Sequence, residues 1–169
     1  MTSEFSRVVR LDQLGFDPWR QRIEASPDER DRLCERFELL SLHSLTAMVE
    51  LYRERGTGIR LEASFEAEFV QSCVVTSEPV AGVISDRFSL IYGPSEEEPL
   101  QIASGADEAA FEPLVGNAID IGEAVAQELS LALPPFPRHA DANMEIEFTE
   151  MSIEGPFASL ARLRPPSEA

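Results

Sequence analysis

The sequence predicts an α+β fold: an antiparallel sheet of four or five strands packed with two helices and a C-terminal helical tail. Three observations carry this. Residues 59–69 alternate apolar and polar side chains without a break, as a strand with one buried and one wet face does. A similar alternation runs through 45–52. Apolar residues at helical spacing flank these runs on both sides, which favours helices laid on a sheet.

Taken in order, Phe5 to Leu11 reads as a short strand, and the chain turns around Asp17-Pro18-Trp19. Ser26-Pro27-Asp28-Glu29 is a helix start: Ser26 caps, Pro27 suits the first helical position and Glu29 completes a capping box. Leu33, Phe37 and Leu40 follow at helical spacing beside Cys34, with arginines and acids interleaved on the solvent face. Leu45, Ala47, Val49 and Leu51 then share one side of a strand. Arg55-Gly56-Thr57-Gly58 makes a hairpin turn, and Ile59, Leu61, Ala63, Phe65, Ala67 and Phe69 line the next strand. A turn at Thr76-Ser77-Glu78-Pro79 leads to a third strand, where Ile84, Phe88, Leu90 and Tyr92 share a face.

Gly93 to Glu112 reads as a mobile acidic loop, rich in turn residues and poor in groups that pack. A second helix is expected over 118–133, starting near Asn117 as cap with Asp120 in its first turn. Ile121, Val125, Leu129 and Ala132 form its stripe, and Pro134-Pro135 stops it. Met144, Ile146 and Phe148 alternate with Glu145, Glu147 and Thr149 as a last strand, and Phe157, Leu160 and Leu163 mark the helical tail. Residues 1–154 are thus expected to form a single domain, with 155–169 as its tail.

The 169 residues suffice for one core without staples. Two cysteines, Cys34 and Cys73, in unrelated contexts point to free thiols and a reducing compartment. No apolar run reaches the roughly 20 residues of a membrane span, and the first residues hold no secretory pattern, so the cytoplasm is expected. The chain carries a formal net charge of −17, and all 14 basic residues are arginine. Residues 1–60 hold 10 arginines and 11 acids, whereas 61–169 hold 4 and 20. Such a surface repels a phosphate backbone, which argues against DNA, and attracts basic partners.

No catalytic signature is found. Gly56-Thr57-Gly58 lacks a third glycine and sits between strands; GxSxG, HExxH and paired CxxC are absent. Two cysteines and two histidines at unrelated spacings make no metal set, and no cofactor is implied. Most glutamates occupy the polar phase of strands and read as solvated faces. His43 reads as a connector between two apolar stretches. The rigid segment Pro134-Pro135-Phe136-Pro137 either only links helix to strand or presents Arg138 and His139 to a partner's acidic or aromatic group. The stripe of Phe157, Leu160 and Leu163 is too small to hold a free helix in water, so it packs on the domain or on a partner. These five residues are the candidate partner-binding positions.

Three stretches, in order, resemble the YceD family of large-subunit ribosomal RNA accumulation proteins. Gln71 to Val80 is similar to the family's cysteine-containing turn, especially its alphaproteobacterial form. Ile119-Asp120-Ile121-Gly122-Glu123, running through Glu128-Leu129-Ser130-Leu131-Ala132-Leu133-Pro134 to Pro137-Arg138, resembles its helix and proline-rich exit. Gly155-Pro156-Phe157-Ala158-Ser159-Leu160-Ala161-Arg162-Leu163 resembles its ending, with Gly155 where asparagine is usual. Many members carry a second cysteine three positions after the first; here that position is Thr76, so metal binding or redox pairing does not carry over. The resemblance implies a role in synthesis, processing or stability of 23S ribosomal RNA, with no defined catalytic residue.

Three function classes follow. The first is a non-enzymatic biogenesis factor that contacts a basic large-subunit ribosomal protein or a pre-50S particle, with rRNA contact secondary. The second is a direct rRNA binder using the arginines of residues 7–60, Arg30, Arg32 and Arg36 among them. The third is an enzyme such as a nuclease, with a carboxylate site in the acidic face.

Overall fold

The computed structural model describes residues 3–54, 58–94 and 109–142. Within them the order is β1 (Val8–Arg10), β2 (Trp19–Glu24), α1 (Pro27–Phe37), β3 (Ser41–Arg53), β4 (Ile59–Ser72), β5 (Pro79–Gly93), β6 (Ala110–Pro113), β7 (Ala118–Asp120) and α2 (Ile121–Ala132). Five strands form one sheet in the order β2-β3-β4-β5-β6, and β1 pairs with β7 in a separate ribbon. The fold is α+β, as expected. The large sheet is antiparallel except for β5–β6, which is parallel, Leu90 facing Ala110 through to Gly93 facing Pro113.

The strongest alternation in the sequence becomes the centre of the sheet. On β3, Leu45, Ala47, Val49 and Leu51 are buried, and on β4 so are Ile59, Leu61, Ala63, Phe65, Ala67 and Phe69. Their registers, Ala47 to Phe65 and Leu51 to Leu61 among them, put both sets on one face. Both helices lie against this core, α1 on β3 and α2 against β1, β4 and β5. The opposite face carries Glu62, Glu66 and Glu68 in solvent. At the β5 border, Gly82 stands opposite Phe69, and a Cβ there would lie 2.6 Å from the phenyl Cζ.

Helix α1 begins as its sequence dictates. The Ser26 hydroxyl accepts from the Glu29 N–H, and the Glu29 carboxylate accepts from the Ser26 N–H at 2.8 Å. Leu33 is fully buried, with Cys34 and Phe37 packed against the core. Glu38 then takes the left-handed conformation (φ 55°) and ends the helix, so Leu40 leaves the predicted stripe and is exposed.

Other expectations need correction. Helix α2 starts at Ile121 and not at 118: the cap is Asp120, whose carboxylate accepts from the Gly122 and Glu123 N–H groups. Residues 118–120 are strand, because β1 supplies their ladder partners. The stretch read as a loop from Gly93 to Glu112 ends in strand β6, which adds to the free side of β5. Residues 19–24, read as following a turn, form an edge strand along β3. His43 is no connector; it is exposed within β3, where the register shifts between Leu42 and Ser44. The hairpin turn at 55–57, the strand expected at Met144–Thr149 and the tail at 155–169 lie outside the described residues.

Candidate partner-binding surface

Among the described residues, most arginines of the first 60 positions are engaged by the protein's own carboxylates and carbonyls. Arg7 grips Glu29 with both guanidinium ends, at 2.6 and 2.9 Å, and donates to the Glu24 carbonyl. That grip, opposed by burial, holds the Glu29 carboxyl down at about 2. Arg36 joins three segments: it donates to Glu123 on α2 at 2.8 and 3.0 Å and to Glu4 at 2.9 Å. Arg10 pairs with Asp12, Arg20 with Glu50 and Arg60 with Glu54. Arg30 and Arg53 bond to the carbonyls of Ala25 and Leu11, and Arg32 reaches that of Glu4 at 3.4 Å. Among the described residues, Arg22, Arg87 and Arg138 make no ion pair.

The second focus is the β4–β5 turn. Cys73 closes it: its N–H donates to the Glu78 carbonyl at 2.8 Å, and its carbonyl accepts from Ser77, which adopts a left-handed φ of 61°. The proline-rich exit of α2 folds back onto this turn. Gln71 donates to the Pro134 carbonyl at 3.2 Å, the Val74 N–H to that of Pro137 at 3.0 Å, and the His139 N–H to the Cys73 sulfur at 3.3 Å. The sulfur also accepts from the Val75 and Thr76 N–H groups, each at 3.5 Å. These donors favour a thiolate, the His139 N–H most and Thr76 next, and bring the Cys73 thiol from 9.0 down to about 6 although it is buried. Cys34, half-buried beside Asp31, is pushed the other way.

This cradle has a measurable consequence. The ultraviolet thiolate absorbance of a Cys34→Ala variant should half-titrate near pH 6 and vanish in the Cys34→Ala/Cys73→Ser double variant. The folded value is depressed, so the stabilisation from this thiolate is complete above pH 9.0 and is lost as pH falls through about 6. A midpoint near that of an ordinary thiol would show that the amide donors do not hold the sulfur in this way.

The same clamp places two of the predicted positions. Arg138 is exposed at the end of the proline segment. His139 is half-buried, its Nδ1 3.8 Å from a Glu78 oxygen and 3.7 Å from one of Asp141. Phe136, 75% exposed, and Val74 lie alongside, so the exit presents apolar groups next to an arginine without an ion pair among the described residues. Phe157, Leu160 and Leu163 lie outside the described residues.

A further carboxylate was missed by sequence reasoning. The Glu128 carboxyl of α2 is pushed up, by burial first and then by the like charges of Asp86 on β5 and Glu112 on β6, which flank it from opposite directions along the sheet. Tyr92, burial first and Glu112 next, is pushed up to about 12. The signal was available: Glu128 sits seven residues after Ile121, on the phase of the apolar stripe.

A family model, described as large ribosomal RNA subunit accumulation protein YceD, matches residues 61–163, more than half of the chain. The chain belongs to this family. Membership in the YceD family implies involvement in accumulation of large-subunit ribosomal RNA, and the family's description is that of an accumulation factor and not of an enzyme. The match takes in the Cys73 turn, α2, the proline-rich exit and the residues to Leu163, and it leaves out the arginine-rich residues 1–60. No curated protein and no solved structure shows significant similarity to the chain. No described helix is long and apolar enough to cross a membrane.

Proposed function

We propose that this protein is a non-enzymatic, cytoplasmic factor for 23S rRNA synthesis, processing or stability. It reaches the assembling large subunit by binding a basic ribosomal protein, alone or on a pre-50S particle. The observation that carries this reading is the engagement of the arginines. Five of the ten in residues 1–60 are in ion pairs and three more bond to backbone carbonyls, so few are left for phosphates. The family match begins after them, at residue 61, where acids outnumber arginines 20 to 4. Carboxylates at that density oppose the counterion release that drives RNA binding and steer basic proteins inward.

A second reading, direct rRNA contact, has one specific support. Across the outer face, Arg22, Met48, Ser64 and Arg87 form a row lining a shallow cleft, with an arginine that makes no ion pair among the described residues at either end. Deleting the gene should lower 23S rRNA and the 50S peak, and an Arg22→Ala/Arg87→Ala chain should restore both. At physiological salt the purified protein should bind large-subunit proteins and not naked 23S fragments. Normal 50S profiles in the deletion strain would refute the function. Tight binding to naked 23S, lost in the double-alanine chain, would move the contact to RNA.

A further inference from the structure

The exit of α2 is pinned to the β4–β5 turn, yet the apolar groups it carries there face solvent. Phe136 is 75% exposed and Val74 53%, and the Val74 N–H donates to the Pro137 carbonyl, so the two share one surface. Two carboxylates border it. The Glu78 and Asp141 side chains are 57% and 91% exposed, and their one cationic neighbour among the described residues is the His139 imidazole, 3.8 and 3.7 Å away. Arg138, on the same segment, pairs with neither.

The path of the chain selects what covers this surface. The Ala142 N–H donates to the His139 carbonyl at 3.0 Å, so residue 143 departs from beside it. Residues 143–154 carry four acids and no arginine, whereas 155–167 carry Arg162, Arg164 and no acid, with Phe157, Leu160 and Leu163 at spacing three. That stripe is too short to hold a helix in water and needs an apolar seat. Fourteen residues separate Ala142 from Phe157, a linker whose random-coil span is roughly 20 Å. The exposed loop residues Phe16 and Val115 are a poorer seat. They follow Leu11 and precede Asn117, which meet each other and Arg53 at the far end of β3. The Cys73 turn adjoins the near end, where Ser41 pairs with Val70, and thirteen residues of strand span about 40 Å. A tether that short concentrates the tail at the near surface and not at the distant one.

We propose that Phe157–Arg164 folds back in cis onto Val74 and Phe136, with Arg162 and Arg164 meeting Glu78 and Asp141. This goes beyond the proposed function and stands whether the ribosomal contact is protein or rRNA. Any partner for the proline-rich exit must then displace the chain's own tail.

The test uses the full chain at several protein concentrations and reads amide exchange of residues 158–164 by NMR. At an effective concentration of about 1 mM, a contact of about 0.1 mM affinity keeps the tail docked about ten to one. These amides should therefore exchange about tenfold more slowly than in an isolated peptide of residues 155–167. Nuclear Overhauser contacts should join the Val74 methyls to the Phe157 ring. Val74→Ser/Phe136→Ser should return exchange to the peptide rate, and Glu78→Gln/Asp141→Asn should cut the protection about threefold, as weak surface ion pairs do. All four side chains are exposed, so thermal midpoints should stay within about 2 °C of the parent, and lost protection is then not lost folding. Protection that rises with protein concentration would put the tail on a second copy and overturn the inference. Protection that survives Val74→Ser/Phe136→Ser would seat it elsewhere on the domain. Exchange at the peptide rate in the parent would leave it undocked, and either result overturns the inference equally.

Discussion

Gly122→Ala is expected to destabilise the protein by about 2 kcal/mol or more, although alanine is the better helix former by about 1 kcal/mol. A Cβ at this position would run into the Phe5 carbonyl oxygen and lie 3.0 Å from the Arg7 nitrogen. Both obstacles are backbone, and that backbone is fixed from two directions. The Arg7 N–H donates to Asp120 at 2.8 Å, and the Ile121 N–H donates to the Arg7 carbonyl at 3.0 Å. Phe5 itself is fully buried, so the segment cannot swing outward without opening the core. Asp120 explains the companion result. One carboxylate caps two helix N–H groups and also accepts from the Arg7 N–H and the Ser6 hydroxyl. Asp120→Ala should therefore cost about 3 kcal/mol, the loss of a cap plus stranded donors. Exposed Gln127→Ala should stay within about 0.5 kcal/mol. Urea unfolding of the three variants decides the matter; Gly122→Ala at or above parental stability would mean that helix and N-terminal strand are not this close.

Phe69→Ala is expected to cost about 3–5 kcal/mol, the usual loss for a large aromatic removed from a closed core. Its ring is 2% exposed and lies across Gly82, the residue facing it on β5. A Cβ on Gly82 would lie 2.6 and 2.8 Å from two ring carbons, so Gly82→Val should also destabilise, by about 1–3 kcal/mol. The two losses share one space. In the double variant, valine grows into the room left by the phenyl group, and the combined loss should fall short of the sum by about 1–2 kcal/mol. Strict additivity in denaturant midpoints would separate the two sites and contradict the register of β4 and β5.

How much of this was legible in the sequence depended on whether a segment's partners were near or far. β3 and β4 are central strands with one face wholly buried, so their alternation is written residue by residue, from Leu45 to Leu51 and from Ile59 to Phe69. The capping box of α1 is contained within Ser26–Glu29 and needed no tertiary information. β2 escaped because an edge strand can leave its face half empty: Gln21 interrupts Trp19 and Ile23. β6 offered only Phe111, and its ladder comes from β5, about twenty residues earlier. Asn117 and Asp120 are both good caps; what chose Asp120 is pairing of 118–120 with a strand over a hundred residues upstream. The Cys73 cradle was hidden for the same reason, since its strongest donor is the backbone of His139. Arg138 and His139 were picked out because prolines mark a rigid presentation, a local signal.

The ribbon formed by β1 and β7 pairs Val8 with Asp120 and Arg10 with Ala118. During synthesis at roughly 5–20 residues per second, on the order of ten seconds separates the emergence of these partners. For that interval Val9 lacks its ladder partner Ile119, and the N-terminal segment has only α1 to hold it, through Arg7 to Glu29 and Arg36 to Glu4, while β3 and β4 already have each other. The missing partner arrives just before α2, whose Glu123 also receives Arg36 from the first helix. The growing polypeptide is thus held open at its oldest end until one of its later elements closes it, and the hairpin must wait without the ribbon that will border it.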